Sequence, residues 1–463
     1  MKTFTRRQML QNSAGGFGAL ALAGMLAEDA RAGSSRTALE DPLAPRLPHL
    51  PARARQVIFI FLNGGLSHVE SFDHKPKLYA DAGKTVNFHE WQGKPGDYSF
   101  FIRPPQWEFS PGGQCGTLVS DLFPHIREVA DDLCVINSLC SDHTNHYEAT
   151  LGMHTGSFTF ARPSVGSWVS YGLGSENHNL PSFVAITPTL PYAGAQAWGS
   201  DFLPGSHQGT HIRPGAEPIV HLNRRTASKA LQRLELDLIA EANRRQIDRS
   251  PEDAALDARI RSFETAFGMQ TAAPEVFDLS QENNETLEMY GMTRDDRGFA
   301  WQCLVARRFA ERGVRFIELI NGNWDQHGDM IGHVPLAGQV DQPIAALIQD
   351  LKLRGMLDET LVVFTTEFGR TPHHMVKDHK GREHHHQVFS SWLAGGGVKP
   401  GMVYGESDEY GIEPAENRVH LHDFHATLLH LLGLDHERLT FRHAGRDYRL
   451  TDVYGDVVHD IIA

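Results

Sequence analysis

The residues Val57-Ile58-Phe59-Ile60-Phe61-Leu62 are apolar without interruption and run straight into Asn63-Gly64-Gly65. A strand with one wet face alternates polar and apolar side chains, so an unbroken run requires burial on both faces. The glycines mark a turn at its carboxyl end. The same grammar recurs at Cys134–Leu139, Phe183–Ile186, Val314–Ile320 and Leu361–Thr366. Helical spacing fills the intervals at 117–130, 146–154, 226–247, 252–267, 294–312, 337–356 and 421–433. Strands alternating with helices predict an α/β fold, a mostly parallel central sheet with helices on both faces. Ligands of such sheets bind beyond the carboxyl ends of the strands.

The amino-terminal segment has a different character. Thr5-Arg6-Arg7-Gln8, a small and apolar stretch from Ala14 to Ala27, and Ala30-Arg31-Ala32 read as a twin-arginine export signal over residues 1–32. The stretch is glycine-interrupted and shorter than the ~20 residues that span a bilayer, so no stable membrane span is expected after cleavage. The predicted destination is periplasmic or secreted. Residues 33–55, with Pro42, Pro45, Pro48 and Pro51, suit an extended lead-in. Residues 56–463 are expected to form a single domain, with a Gly-, Pro- and aromatic-rich loop over 74–115 and a charged helical insertion at about 222–297.

A formal charge of -14, which cleavage would make more negative, argues against nucleic acid as a partner, because phosphate affinity needs clustered Lys and Arg. The 27 histidines point instead to metal chemistry. The 4 cysteines lack the paired spacing of a zinc site, and their disulfide pairing is open.

Groups suited to an ion or an oxyanion follow four of the predicted strands. Asn63-Gly64-Gly65-Leu66-Ser67-His68 offers a hard oxygen and close backbone approach. Ser141-Asp142-His143-Thr144-Asn145-His146 would place a nucleophile or anion-binding group at a helix amino end, where free N–H groups favour negative charge. In Trp324-Asp325-Gln326-His327 the Asp and His side chains could reach one ion from an extended loop. Glu367-Phe368-Gly369-Arg370-Thr371-Pro372, followed by His373, His374, His379 and Gly381-Arg382-Glu383-His384-His385-His386, sets a carboxylate, an anion clamp and imidazoles at one mouth.

In this order, and behind a twin-arginine signal, Asn-Gly-Gly-x-Ser-His, Trp-Asp-x-His, Thr-Glu-Phe-Gly-Arg-Thr-Pro and Gly-Arg-x-His-His resemble the exported bacterial proteins grouped as domain-of-unknown-function family 1501. That family looks like a branch of the alkaline-phosphatase and sulfatase superfamily, and the resemblance extends from Val57 to the last helix. It implies an alkaline-phosphatase-like sandwich and a hydrolase of phosphate or sulfate esters using one or two divalent ions, Zn, Mn, Mg or Ca. By the same resemblance Asn63 takes the place of the first-strand aspartate ligand, and Asp325 and His327 match an Asp/His ligand pair. Glu367 stands for the late-strand aspartate, and His385 or His384 for the downstream histidine. His420, His422 and His425 fall on the terminal helix, as structural or solvated groups.

The chain also departs from that pattern. Asn replaces Asp at 63, Phe368 occupies a usual histidine position, and His146-Tyr147-Glu148-Ala149-Thr150 stands where sulfatases carry Cys-x-Pro-Ser-Arg. Formylglycine chemistry is therefore not expected. A single ion is, or a rearranged site using His143 or His146. The reading assigns catalysis to Thr144 as nucleophile with His146 and Arg370, substrate binding to His143 and Arg382, and metal binding to Asn63, Asp325, His327, Glu367, His384 and His385. The expected substrate is a small-molecule or glycan ester. The competing expectation is a noncatalytic exported protein that keeps the fold and binds carbohydrate or a surface complex.

Overall fold

A computed structural model describes residues 42–463 apart from 92–93, 221, 223–227 and 250–253. The expected export signal and residues 33–41 of the lead-in lie outside the described residues. The rest of the lead-in is pinned by its backbone, Arg46 N–H donating to Leu173 O and Ala54 N–H to Leu431 O.

The main sheet contains β1 (Gln56–Leu62), β2 (Leu133–Cys140), β3 (Phe183–Ile186), β4 (Thr210–Ile212), β5 (Phe316–Asn321), β6 (Thr360–Thr365), β7 (Phe389–Ala394) and β8 (Met402–Tyr404). Their order is β8-β2-β7-β6-β1-β5-β3-β4, with Val419–His420 pairing beside β2. β1 lies between parallel neighbours β6 and β5, and every one of its residues is buried. Ile58, Ile60 and Leu62 enter one core while Val57, Phe59 and Phe61 enter the other, as the two-residue repeat of a strand requires. The first core is closed by α5 (Phe299–Ala310) and α6 (His333–Leu353), the second by α1 (His146–Thr155), α2 (Val165–Leu173) and α7 (Leu421–Leu431). Between β4 and α5, helices α3 (Lys229–Arg249) and α4 (Ala254–Phe277) pack together, with Arg233 and Glu264 paired at 3.0 Å. None of the described helices is long and apolar enough to cross a membrane.

β7 is antiparallel to both its neighbours and has no counterpart among the predicted strands. Ser390 and Ser391 mask it in the sequence, yet both are satisfied inside the sheet: Ser390 Oγ donates to Asn137 Oδ1 at 2.7 Å and Ser391 Oγ lies 2.6 Å from Thr365 Oγ1. The chain leaves β6 at its carboxyl end and stays there through residues 366–388, so it can only re-enter the sheet running downward. Two local expectations are corrected. Residues 117–130 are not one helix: Thr117–Ser120 pairs with Phe109–Gly112, and Pro124 at the first turn restricts helix to Pro124–Glu128. The 74–115 segment contains a hairpin of Thr85–Trp91 with Lys94–Ile102, against which His373–His374 adds a third strand.

A buried polar pair fixes α1 to the sheet. Glu318 projects from β5 into the α1 side of the core, and His154 Nε2 meets its Oε1 at 2.8 Å while His154 Nδ1 contacts Thr150 O at 2.7 Å. Both residues are at most 3% exposed. Burial lowers the pKa of His154, but the Glu318 carboxylate outweighs it and the net direction is upward. Removing one partner strands the other in apolar surroundings. His154→Ala is expected to lose about 3–5 kcal/mol in urea unfolding, with part of the loss recovered by His154→Leu combined with Glu318→Leu. An unchanged midpoint for the single variant would refute this anchoring role.

Candidate metal centre

Asp325 stands on the loop beyond β5, and its position is set by its neighbour. Trp324 is fully buried, its Nε1–H donates to Asn321 Oδ1 at 2.8 Å, and its backbone N–H donates to Asn63 O at 3.2 Å. Asn323 takes the left-handed conformation, at φ 74°, that turns the chain into this anchor. Gly64, at φ 126°, is required opposite, because a Cβ there would lie 2.6 Å from Trp324 N and 2.8 Å from Asp325 N. His146 opens α1 directly after Asn145, whose side chain accepts from Tyr147 N–H and caps the helix. His384 comes from a two-residue strand paired antiparallel with Gly369–Arg370.

These segments bring His146, Asp325 and His384 within 4.8 Å of one another through their ligand atoms. His146 Nε2 lies 3.2 Å from Asp325 Oδ2, and His384 Nε2 lies 3.2 Å from Asp325 Oδ1. His327 Nε2 is 2.9 Å from the same Oδ1 and 3.0 Å from His384 Nε2. Each imidazole has an oxygen acceptor at its other nitrogen: Glu367 Oε1 at 2.8 Å from His146 Nδ1, Glu383 Oε2 at 2.9 Å from His327 Nδ1, and Thr144 O at 2.7 Å from His384 Nδ1. An acceptor at Nδ1 supports the tautomer protonated there, the one that offers the Nε2 lone pair to an ion. In that tautomer the Nε2 atoms of His146, His327 and His384 all face one carboxylate, whose Oδ1 also accepts from Arg370. His146 Nε2 is buried with no hydrogen bond of its own. The donor set, imidazoles with one carboxylate, fits a divalent transition ion such as zinc.

The electrostatics agree. Burial alone would raise the Asp325 pKa, but His146, His384 and Arg370 hold it well below the usual carboxylate range, so it is ionised. Burial, ahead of the contribution of Asp325, lowers the pKa of His384 and favours its neutral form. At His146 burial opposes the charged form while Asp325 and Glu367 together raise the pKa, so the two carboxylates favour a positive charge between them, a proton on Nε2 or an ion in its place. Tyr192 stacks on the His146 ring at 4.1 Å, and Phe368 packs against both His146 and His384.

The remaining residues singled out in the sequence take other positions. Glu367 buttresses the cluster, accepting from Gly64 N–H, Thr366 Oγ–H and His146. Asn63 Oδ1 accepts from Tyr192 N–H at 3.4 Å. His385 is not brought to the cluster, because successive strand residues face opposite ways. Its Nε2–H donates to Ile412 O at 2.7 Å, its ring stacks with His68, and burial holds its pKa at about 3. Arg382 is a structural pin and not an open anion clamp: it pairs with buried Glu70 and donates to Thr371 O, Arg103 O and Pro104 O. Arg370 donates to Gly64 O, Gly65 O, Arg382 O, Trp324 O and Asp325, again from full burial. Thr144 precedes the α1 cap, and His143 packs on the Phe158 ring at 5.1 Å. Glu383 and Tyr192 are not among the residues singled out in the sequence. Glu383 adjoins His384, a local signal, whereas nothing in the sequence around Tyr192 signals its place over His146.

Comparison with known families finds that the family described as "Protein of unknown function (DUF1501)" matches residues 54–462. No curated protein matches. Among solved structures, the chain is similar to the lipoteichoic acid synthase LtaP from Listeria monocytogenes, at 9% identity and TM-score 0.37, over 89% of this chain and 79% of that one. It is similar to the PsFucS1 sulfatase from Pseudoalteromonas sp. at 12% identity and TM-score 0.35, over 85% and 69% of the two chains. It is also similar to the phosphonate monoester hydrolase SpPMH from Silicibacter pomeroyi at 11% identity and TM-score 0.35, over 82% and 73%.

If Arg382 pins loops together, its removal is a stability defect. Arg382→Ala should cost about 3–5 kcal/mol in chemical unfolding, because Glu70 would remain buried and unpaired. A variant that unfolds like the parent would contradict this assignment.

Proposed function

The chain belongs to the DUF1501 family, and we propose that it is an exported, metal-dependent hydrolase of phosphate or sulfate esters with an alkaline-phosphatase-like fold. The observation that carries this reading is the convergence of three imidazole Nε2 atoms on ionised Asp325, each imidazole fixed from behind through Nδ1. Asp325, His146, His327 and His384 would hold the ion. A divalent ion there supplies Lewis acidity toward an ester oxygen.

The chain's own residues do the rest. Arg370 keeps Asp325 ionised and oriented, and Glu367 does the same for the tautomer of His146. Tyr192 and Phe368 cover the imidazole faces and limit water around them. Thr144, at the amino end of α1, is the proposed nucleophile, where backbone N–H groups and the helix dipole favour the negative charge of the substrate. Attack by its Oγ on phosphorus or sulfur releases the alcohol, which takes up the hydroxyl proton. Water then cleaves the Thr144 ester and restores the hydroxyl. His143, one residue away, would contact the substrate. Export rests on the Arg6-Arg7 signal.

A second reading is favoured by one observation. The guanidiniums of Arg370 and Arg382, expected as anion clamps, are spent on carbonyls and carboxylates of the protein itself. A noncatalytic exported binding protein needs no such clamp.

The mature protein should carry about one tightly held divalent ion per chain and hydrolyse an aryl phosphate or aryl sulfate in a chelator-sensitive way. Asp325→Ala should lose the ion and the turnover while its circular dichroism stays that of the parent. No bound metal and no turnover after addition of Zn, Mn, Mg or Ca would overturn the hydrolase in favour of the binding protein.

A further inference from the structure

Two of the three imidazoles facing Asp325 are locked from the interior. His384 Nδ1 meets a backbone carbonyl, Thr144 O, and His146 Nδ1 meets Glu367, which is fully buried. His327 is different. Its side chain is 41% exposed, and so is that of Glu383, the residue that engages its Nδ1. A neutral imidazole free in water exchanges between two tautomers, and only the one protonated at Nδ1 offers Nε2 to an ion.

Glu383 is itself held firmly. Thr371 N–H donates to Glu383 O at 2.9 Å and Glu383 N–H donates to Thr371 Oγ1 at 3.0 Å, so its backbone is clamped from both sides. Its second oxygen, Oε1, lies 3.5 Å from His374 Nε2. His374 Nδ1 accepts from Val376 N–H at 3.0 Å, which places the His374 proton on Nε2, toward Glu383. The His374 ring stacks on His379 at 3.8 Å and 6°, and His379 Nδ1 accepts from Gly381 N–H at 3.1 Å. Gly381 lets this loop lie against the His327 backbone, since a Cβ there would collide with His327 O. One carboxylate therefore bridges the metal centre and the 373–381 loop.

We propose that Glu383 is a positioning residue, which selects the metal-binding tautomer of His327 and is aimed for that task by Thr371 and the stacked His374–His379 pair. The proposal rests on the metal centre described above and adds to it a residue that acts only through His327.

The test is zinc affinity of the full mature chain, read by competition with a chromophoric chelator, beside the nitrogen-15 shifts of His327. Glu383→Ala should weaken zinc roughly 10- to 100-fold and shift the metal-free His327 from the Nδ1–H tautomer toward the one protonated at Nε2, which lies 2.9 Å from Asp325 Oδ1. Glu383→Gln, whose amide oxygen still accepts from Nδ1–H, should restore both to within a few-fold of the parent. Parental affinity in Glu383→Ala, or a Gln variant no better than Ala, would overturn the proposal. Asp325→Ala separates this from the reading beneath it. If that variant loses zinc while Glu383→Ala does not, only the role of Glu383 falls. If Asp325→Ala binds zinc like the parent, the centre itself is elsewhere and both fall.

Discussion

The buried guanidinium of Arg370 ties together the loops beyond three strands. It donates to Gly64 O and Gly65 O after β1, to Trp324 O and Asp325 after β5, and to Arg382 O in the loop after β6. A planar group with fixed donors can satisfy several carbonyls at once only if their positions are mutually consistent. The same ion therefore fixes the loop geometry and supplies the charge that keeps Asp325 ionised. A lysine could neutralise Asp325 but could not hold the carbonyls of Gly64, Gly65 and Arg382 in register.

Below that tie, the sheet explains which histidines face the centre. Antiparallel pairing of Gly369–Arg370 with His384–His385 turns His384 toward Asp325 and His385 toward His68. His68 and His385 donate to the carbonyls of Gly411 and Ile412, and burial holds both near a pKa of about 3. They are neutral hydrogen-bond donors that close a loop. His154 anchors α1 through Glu318, and α1 in turn carries His146. The centre thus depends on contacts made on both faces of the sheet, and the proposed ion would meet side chains whose orientation is fixed before it arrives.

The layered architecture was legible because burial on both faces leaves an unbroken apolar run, as at Val57–Leu62, and helix spacing fills the gaps. β7 was hidden because its serines find partners only in the folded sheet, in Asn137 and Thr365. The strand ends pointed to the edge of the sheet where Asp325, His327 and His384 stand together. Composition and order along the chain do not tell which way a side chain faces, so His384 and His385 could not be told apart. Arg382 reads as an anion clamp until its burial with Glu70 is seen, because an internal ion pair spanning residues 70 and 382 leaves no local pattern. Glu367 reads as a ligand and Glu383 carries no role, whereas each meets the far nitrogen of an imidazole.

One divalent ion is proposed to belong among Asp325, His146, His327 and His384. Anomalous diffraction from crystals of the zinc-loaded protein tests this placement. One strong peak is expected, bounded by Asp325 and the Nε2 atoms of His146, His327 and His384, with Glu367 and Glu383 still on the Nδ1 side of His146 and His327. A peak among His68, His373 and His385, or zinc bound through Nδ1 of these histidines, would contradict it.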